Sequence, residues 1–355
     1  MRVAIEGATL GLSSGGLARY TGELSLALAR AYPEDEFYLV SDRPFPMPAA
    51  APANLKRGGG PRNAAERRWW LWGLGQELSR LGADLVHGPD FSVPYLSRKP
   101  SVLTLHDLSP WMNPGWHRAA QRVRRRTPAL LELGIATMVV TPGESVRKQA
   151  IERFRLRPDR VVAIPEAAAP WFSPAEPKAP GTVPYFLFVG TLEPRKNLGA
   201  LVEAWREVRQ SHQVDLVLAG RKRADFADVA AWSGEPGLRW IGEAPDAALP
   251  ELYTGALALV YPSLYEGFGL PVLEAMQCGA CVIASRAVEE AAGDAAIYAA
   301  DAPEMAQAMR ALCENPERVA ELRGKSLERA RQFTWERTAR ATYEVYREAR
   351  RRFAE

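Results

Sequence analysis

Short, nearly all-apolar runs recur along the chain, and segments with helical spacing of apolar positions separate them. The runs fall at residues 2–6, 37–40, 84–88, 101–107, 137–142 and 161–165, and again at 185–190, 215–220, 238–242, 256–261, 281–285 and 295–299. Helical patterns cover residues 17–31, 63–81, 121–134 and 143–154, then 270–278, 314–329 and 335–352, the last two joined near 333–334. Strands apolar on both faces that alternate with helices predict parallel sheets covered on both sides. Residues 44–61, rich in Pro, Ala and Gly, read as an irregular connection. Residues 166–184 carry Pro170, Pro174, Pro177, Pro180 and Pro184 and read as a linker. The expectation is two doubly wound α/β domains, 1–170 and 171–335, and 355 residues suit two domains of ordinary size.

The fractions of charged (25 %) and hydrophobic (47 %) residues are those of a globular protein. No apolar run approaches the roughly 20 residues that span a bilayer. The opening MRVAIEGATLGL reads as a strand start, since Glu6 interrupts any leader-like apolar segment. Three cysteines are too few for a disulfide framework, so a reducing, cytoplasmic setting is expected. Cys278 and Cys281 have C-x-x-C spacing, but with no second ligand pair nearby they read as a helix-end and a buried-strand residue. Charge changes the picture more. Residues 1–170 carry 23 Lys/Arg against 16 Asp/Glu, or +7, while residues 171–355 carry 22 against 26, or −4. A basic first half suits an anionic membrane or an anionic acceptor. Arg67, Arg68, Trp69, Trp70 and Trp72 lie in one helical pattern. They fit an interfacial membrane face, or a helix packing its indoles on the core. Arg122–Arg126 reads as a solvated helix face, and no nucleic-acid partner is expected.

The chemistry concentrates in YPSLYEGFGLPVLEAMQCGACVIAS, residues 261–285. A strand runs into a loop holding Gly267, Phe268 and Gly269, then into a helix opened by Leu270 and Pro271 and stopped by Gly279. Backbone N–H groups at such a helix start favour a phosphate. Glu266 in the loop and Glu274 one turn into the helix would repel a phosphate unless they hold something else. Sugar hydroxyls fit, because a carboxylate only accepts hydrogen bonds. The local reading is a nucleotide-sugar site. At the start of the second half, GTLEPRKNL (190–198) places Arg195 and Lys196 after a strand, where two cations can neutralise a leaving diphosphate. The helix expected from Asn197 would disfavour them electrostatically. The first loop, 7–16, holds Gly15 and Gly16 but matches neither G-x-G-x-x-G nor a P-loop, so dinucleotide and ATP chemistry are not indicated. His106 follows a strand end, where ligand chemistry clusters in open parallel sheets, and imidazole exchanges protons near neutral pH.

EGFGLPVLEA, with seven residues between Glu266 and Glu274, resembles the E-x7-E motif of retaining glycosyltransferases of family four. GTLEPRKNL and the pair Gly15–Gly16 are similar to two further signatures of that family, in the expected order. The resemblance implies the α/β GT-B fold, two Rossmann-like domains facing across a cleft. The final helix, 336–355, would complete the first domain, making the lobes +9 and −6. It implies transfer of a hexose from a nucleoside-diphosphate sugar to a hydroxyl of a glycan, lipid-linked or small-molecule acceptor, with retention. Glu266 would hold the sugar, Glu274 the ribose, Phe268, Gly269 and Leu270 the phosphates, and Arg195 and Lys196 the leaving diphosphate. His106 would lie near the donor sugar, and Gly15, Gly16, Thr191, Gly220 and Gly267 would line the donor site. Many relatives carry an arginine where this chain has Thr191, a departure that Arg195 would cover. No metal or other cofactor is implied, and the chain has no Asp-x-Asp sequence. The likeness of GTLEPRKNL to mannosyltransferases points to GDP-mannose as donor. A sugar-nucleotide epimerase of the same architecture, or a non-catalytic sugar-nucleotide-binding subunit, are the alternatives.

Overall fold

The computed structural model describes residues 1–355 except 13–14, 97, 114, 117–119, 177–182, 224–225, 227–230 and 233. The chain forms two compact units, one of Met1–Glu166 with Thr334–Glu355, the other of Ala167–Phe333.

The first unit is built on a sheet of parallel strands. These are β1 (Arg2–Glu6), β2 (Glu36–Val40), β3 (Leu55–Arg57), β4 (Leu85–Gly88), β5 (Ser101–Thr104), β6 (Met138–Thr141) and β7 (Val161–Ala163), ordered β3-β2-β1-β4-β5-β6-β7. Central strands such as β4 and β5 are buried along their whole length, as sheets covered on both faces require. The Trp335–Ala354 helix joins this unit. Thr334 Oγ1 caps it by accepting from Arg337 N at 3.2 Å, and Thr338, Ala339, Thr342, Val345, Tyr346 and Ala349 form its buried stripe. Tyr343 stacks on Tyr32 at 3.5 Å, and Tyr346 Oη meets His87 Nδ1 at 2.6 Å.

Two stretches differ from expectation. Strand β3 lies inside the segment expected to be irregular; only Leu55 of its three residues is buried, too little to read as a strand. The helix expected over 63–81 is regular only at Leu74–Leu81 and is preceded by a wide turn over Trp69–Gly73. Gly73 N reaches back five residues to Arg68 O, at 3.4 Å. A side chain at Gly73 would put its Cβ 2.1 Å from Glu66 O. The indoles separate: Trp69 packs in the core with Leu74 and Leu78, and Trp72 is 48 % exposed.

The second unit carries β8 (Tyr185–Val189), β9 (Asp215–Ala219), β10 (Leu238–Gly242), β11 (Ala258–Tyr261), β12 (Cys281–Ala284) and β13 (Ile297–Tyr298), again parallel, ordered β10-β9-β8-β11-β12-β13. The expected linker is largely part of this unit. Ala168, Ala169 and Phe172 are buried in its core, and Gln277 Nε2 donates to Ala169 O and Phe172 O at 3.0 and 2.8 Å. Its residues 177–182 lie outside the described residues.

Both sheets reverse their strand order once, between β1 and β4 and between β8 and β11. Ligands of doubly wound folds bind beyond the carboxyl ends of the strands at such a reversal. The loops that leave these ends are Gly7–Gly15 and Pro89–Asp90 in the first unit, and Gly190–Asn197 and Pro262–Gly269 in the second.

Candidate active site

In the second unit the two loops at the reversal are held together by a buried charge cluster. Pro194–Lys196 is a tight 3-10 turn, and Asn197, in the left-handed conformation at φ 54°, separates it from the helix Leu198–Arg209. Arg195 and Lys196 therefore do not sit in that helix's first turn, which removes the electrostatic objection to two cations here. Arg195 donates from Nη2 to Glu193 Oε1 at 2.9 Å and from Nη1 to Tyr265 O at 2.7 Å and Glu266 Oε2 at 3.1 Å. The backbone closes the same connection, Leu264 N donating to Arg195 O at 2.9 Å. Lys196 Nζ donates to Glu266 Oε1 at 2.5 Å and to Tyr261 Oη at 2.7 Å.

Burial alone would raise the Glu266 pKa, but Lys196 and Arg195 overcome it and hold the carboxyl down at about 2. Burial pulls the Lys196 ammonium down against the opposing pull of Glu266. Glu266 is ionised at neutral pH. Glu193, which anchors Arg195 and also meets Arg223 at 3.5 Å, was not among the expected site residues. Its local signal was no more than a glutamate two positions before an arginine. The expected role of Arg195 also changes. With Glu193, Tyr265 O and Glu266 around it, its guanidinium ties residues 190–197 to residues 262–269.

The helix Leu270–Gln277 begins where expected, with Pro271 in its first turn. Val272 and Leu273 turn their N–H groups onto Gly269 O and Pro271 has none, so the donors at this helix start are Gly269 and Leu270. Gly269 needs to be glycine: its φ is 109°, and a Cβ would lie 2.7 Å from Val288 Cγ1. Phe268 is buried and meets the ring of Phe333 edge-on at 5.7 Å, so its side chain anchors the loop. Gly267 is half-buried between Glu266 and Phe268. Glu274 was expected to bind the ribose hydroxyls. It is 1 % exposed, and its Oε2 accepts from Tyr253 Oη at 3.0 Å. In this conformation it is a buried partner of the Leu249–Gly255 helix.

Gly220 has a structural reason to be glycine. A Cβ there would sit 1.9 Å from Gly190 O, so the ends of β8 and β9 touch through their backbones. Thr191 follows that contact and is half-buried.

In the first unit Gly15 adopts φ 113° as the residue before the Gly16–Ala31 helix, with Gly16 its first position. His106 lies two residues beyond β5. Its Nδ1 is 3.0 Å from Glu166 Oε1 and its Nε2 is 2.7 Å from Pro89 O, while Tyr20 meets the ring edge-on at 4.7 Å. A carbonyl and a carboxylate only accept, so this geometry favours the ring with both nitrogens protonated. Burial opposes the charge, but Glu166, Asp90 and Pro89 O outweigh it and raise the pKa. This geometry speaks against the expected proton-exchanging role, because both ring nitrogens are engaged, one by Glu166 and one by Pro89 O. Glu166, read from sequence as the first linker residue, is its buried partner.

Two parallel-sheet units with this cluster at a sheet reversal are those of a glycosyltransferase of the GT-B fold. Residues 183–315 match the family model described as "Glycosyl transferases group 1", and residues 14–169 match "Glycosyltransferase Family 4". The chain is 34 % identical over 290 residues to the O-antigen chain mannosyltransferase B of Escherichia coli, covering 74 % of each protein. It is 28 % identical over 271 residues to the serotype-specific mannosyltransferase WbdA of Escherichia coli, covering 69 % of this chain but 33 % of that larger protein. In structure it is similar to sucrose-phosphate synthase from Thermosynechococcus elongatus, with a TM-score of 0.78, 21 % identity and 98 % of both chains covered. The chain belongs to the group 1, family 4 glycosyltransferases.

Proposed function

We propose that this glycosyltransferase moves a hexose, mannose in the first instance, from a nucleoside-diphosphate sugar to a hydroxyl of a glycan or lipid-linked acceptor, with retention of anomeric configuration. The observation that carries the reading is the buried Arg195–Glu266–Lys196 cluster at the sheet reversal of the second unit. A nucleotide sugar offers each ionised partner a replacement: hydroxyls for Glu266, phosphate oxygens for Lys196. The 34 % identical relative, named a mannosyltransferase, favours mannose and GDP-mannose.

As the bond from the anomeric carbon to the diphosphate breaks, positive charge grows on the sugar and negative charge on the phosphate. Glu266 beside the sugar stabilises the first, and Lys196 with the N–H groups of Gly269 and Leu270 stabilises the second. The departing diphosphate oxygen takes the acceptor's proton on the same face of the sugar, which gives retention. These cations do the work a metal would do, so activity should survive chelation. EDTA inhibition reversed by a divalent cation would overturn that part.

The same proposal assigns the protein to the cytoplasmic side, which suits the free thiols of Cys278, Cys281 and Cys313, with peripheral contact to the membrane. No helix among the described residues is long and apolar enough to cross one. Exposed Arg67, Arg68 and Trp72 support the contact.

A thermal-shift screen with GDP-, UDP-, ADP- and dTDP-sugars tests the donor. Ligand at 100 times its Kd should stabilise by about 2.7 kcal/mol. No shift with any of them would sink the reading. NMR of the product's anomeric proton tests retention, and an inverted product would refute it.

A further inference from the structure

We infer that Arg221 is a diphosphate-gripping residue of the donor site, supplied from the end of β9. The inference rests on the nucleotide-sugar reading above and adds a residue to it. Beyond the ends of β8 and β9 the backbones continue as a parallel bridge between Leu192 and Lys222. Leu192 N donates to Arg221 O at 2.9 Å, and Arg223 N donates to Leu192 O at 3.1 Å.

In extended backbone successive side chains point to opposite faces, and bridge partners share a face. Leu192 is buried, so Lys222 shares its face. Thr191 and Glu193 then share the other face with Arg221 and Arg223. The structure confirms one of these pairings, Arg223 Nη1 lying 3.5 Å from Glu193 Oε2. The other sets Arg221 beside Thr191. The contact of Gly190 with Gly220 fixes this edge, since neither backbone can move without the other.

Among the described residues, three cations beside this edge already serve partners. Arg195 serves Glu193, Tyr265 O and Glu266; Lys196 serves Glu266 and Tyr261; Arg223 serves Glu193. Arg221 is exposed and has no ion-pair partner among the described residues. A guanidinium beside a small residue at the carboxyl end of a central strand pair suits two oxygens of a diphosphate. Among the described residues no carboxylate pairs with its charge, whereas that of Lys196 must first leave Glu266.

Calorimetric titration of the intact protein with GDP, UDP, ADP and dTDP, and with the corresponding monophosphates, tests this. Arg221→Ala should bind the best diphosphate at least tenfold more weakly while losing less than threefold for its monophosphate. Arg221→Lys should fall between, and Lys222→Ala, on the face of Leu192, should bind as wild type. An unchanged melting temperature will show that the exposed substitution leaves the fold intact. Arg221→Ala binding the diphosphate within twofold of wild type overturns the proposal and leaves the nucleotide-sugar reading standing. Wild type that binds none of the four diphosphates overturns both.

Discussion

Lys196 Nζ lies 2.5 Å from Glu266 Oε1, and the two side chains keep only 6 % and 9 % of their surface exposed. Both groups have given up most of their hydration, so the pair is held by geometry that a competing partner can unsettle. A donor competes for both at once.

Glu266→Gln keeps the shape and one acceptor oxygen but removes the charge. Turnover should fall at least roughly tenfold, about 1.4 kcal/mol of barrier, because the lost interaction strengthens as the anomeric carbon becomes electron-poor. Affinity for the nucleoside diphosphate alone should not weaken, since that ligand lacks the sugar and Lys196 is released to it. Stability should drop by about 3 kcal/mol, because buried Lys196 loses its counter-charge while Arg195 keeps that of Glu193. Steady-state kinetics, calorimetry with GDP and urea unfolding check the three parts. Turnover at the wild-type rate would refute the role assigned to Glu266.

Gly220→Ala should be badly tolerated. The substitution places a Cβ 1.9 Å from Gly190 O at a φ of 148°. Strain of this kind typically costs about 1–3 kcal/mol, and the backbone clash adds to it. Expression as aggregate, or a clearly lowered melting temperature with lost nucleotide binding, is the expected result. A variant as stable as wild type would show that the contact between the two strand ends is not tight.

What could be read from the sequence, and what could not, follows the range of each interaction. Strand β8, YFLFV, announces itself because all its residues are buried. The stop after Leu270–Gln277 is equally local, Gly279 taking φ 71°. The spacing of Glu266 and Glu274 marked the site, but their surroundings were invisible. Glu266 meets Lys196 70 residues away, and His106 meets Glu166 60 residues away. Glu166 and Glu193 carry no local pattern that separates them from solvated glutamates. The helix Ala302–Glu314 was missed although its start is written locally. Asp301 Oδ1 caps it by accepting from Glu304 N at 2.9 Å, and Glu304 Oε2 accepts from the preceding Ala300 N at 2.7 Å.

Membrane contact predicts salt-sensitive binding to anionic vesicles. Tyr95 N donates to Trp70 O at 2.8 Å, and Arg126 lies over both rings, 5.3 Å from Trp70 and 5.7 Å from Tyr95. Those aromatics brace a turn whose outer residues, Arg67, Arg68 and Trp72, face solvent. Co-sedimentation with vesicles containing phosphatidylglycerol at low salt should capture the protein and release it at high salt. Arg67→Glu with Arg68→Glu should abolish capture, and Trp72→Ala should weaken it several-fold. No capture of wild type at low salt would rule out the contact and favour an acceptor free in solution.

The last prediction concerns the charge on His106. The groups that face it are Glu166 after β7, Asp90 after β4, His87 within β4 and Tyr20 on the Gly16–Ala31 helix. Glu166 and Asp90 raise its pKa, and the positive ring in turn helps keep His87 neutral, with a pKa pushed down to about 3 by burial first and His106 second. A histidine whose folded pKa lies above the ordinary 6.5 contributes stability fully below that value. The contribution is lost as pH rises through the raised pKa. Unfolding free energy should therefore fall as pH rises above 6.5 and through the raised pKa. Glu166→Gln should flatten that fall and cost most below pH 6.5, where the lost partner leaves the imidazolium uncompensated. Nitrogen-15 NMR of the ring reads the state directly. At pH 7 the wild type should show both Nδ1–H and Nε2–H, and Glu166→Gln should show the ring losing a proton at lower pH. A wild-type ring with one N–H at pH 7 would show that His106 is neutral, and would return it to the proton-exchanging role that this geometry speaks against.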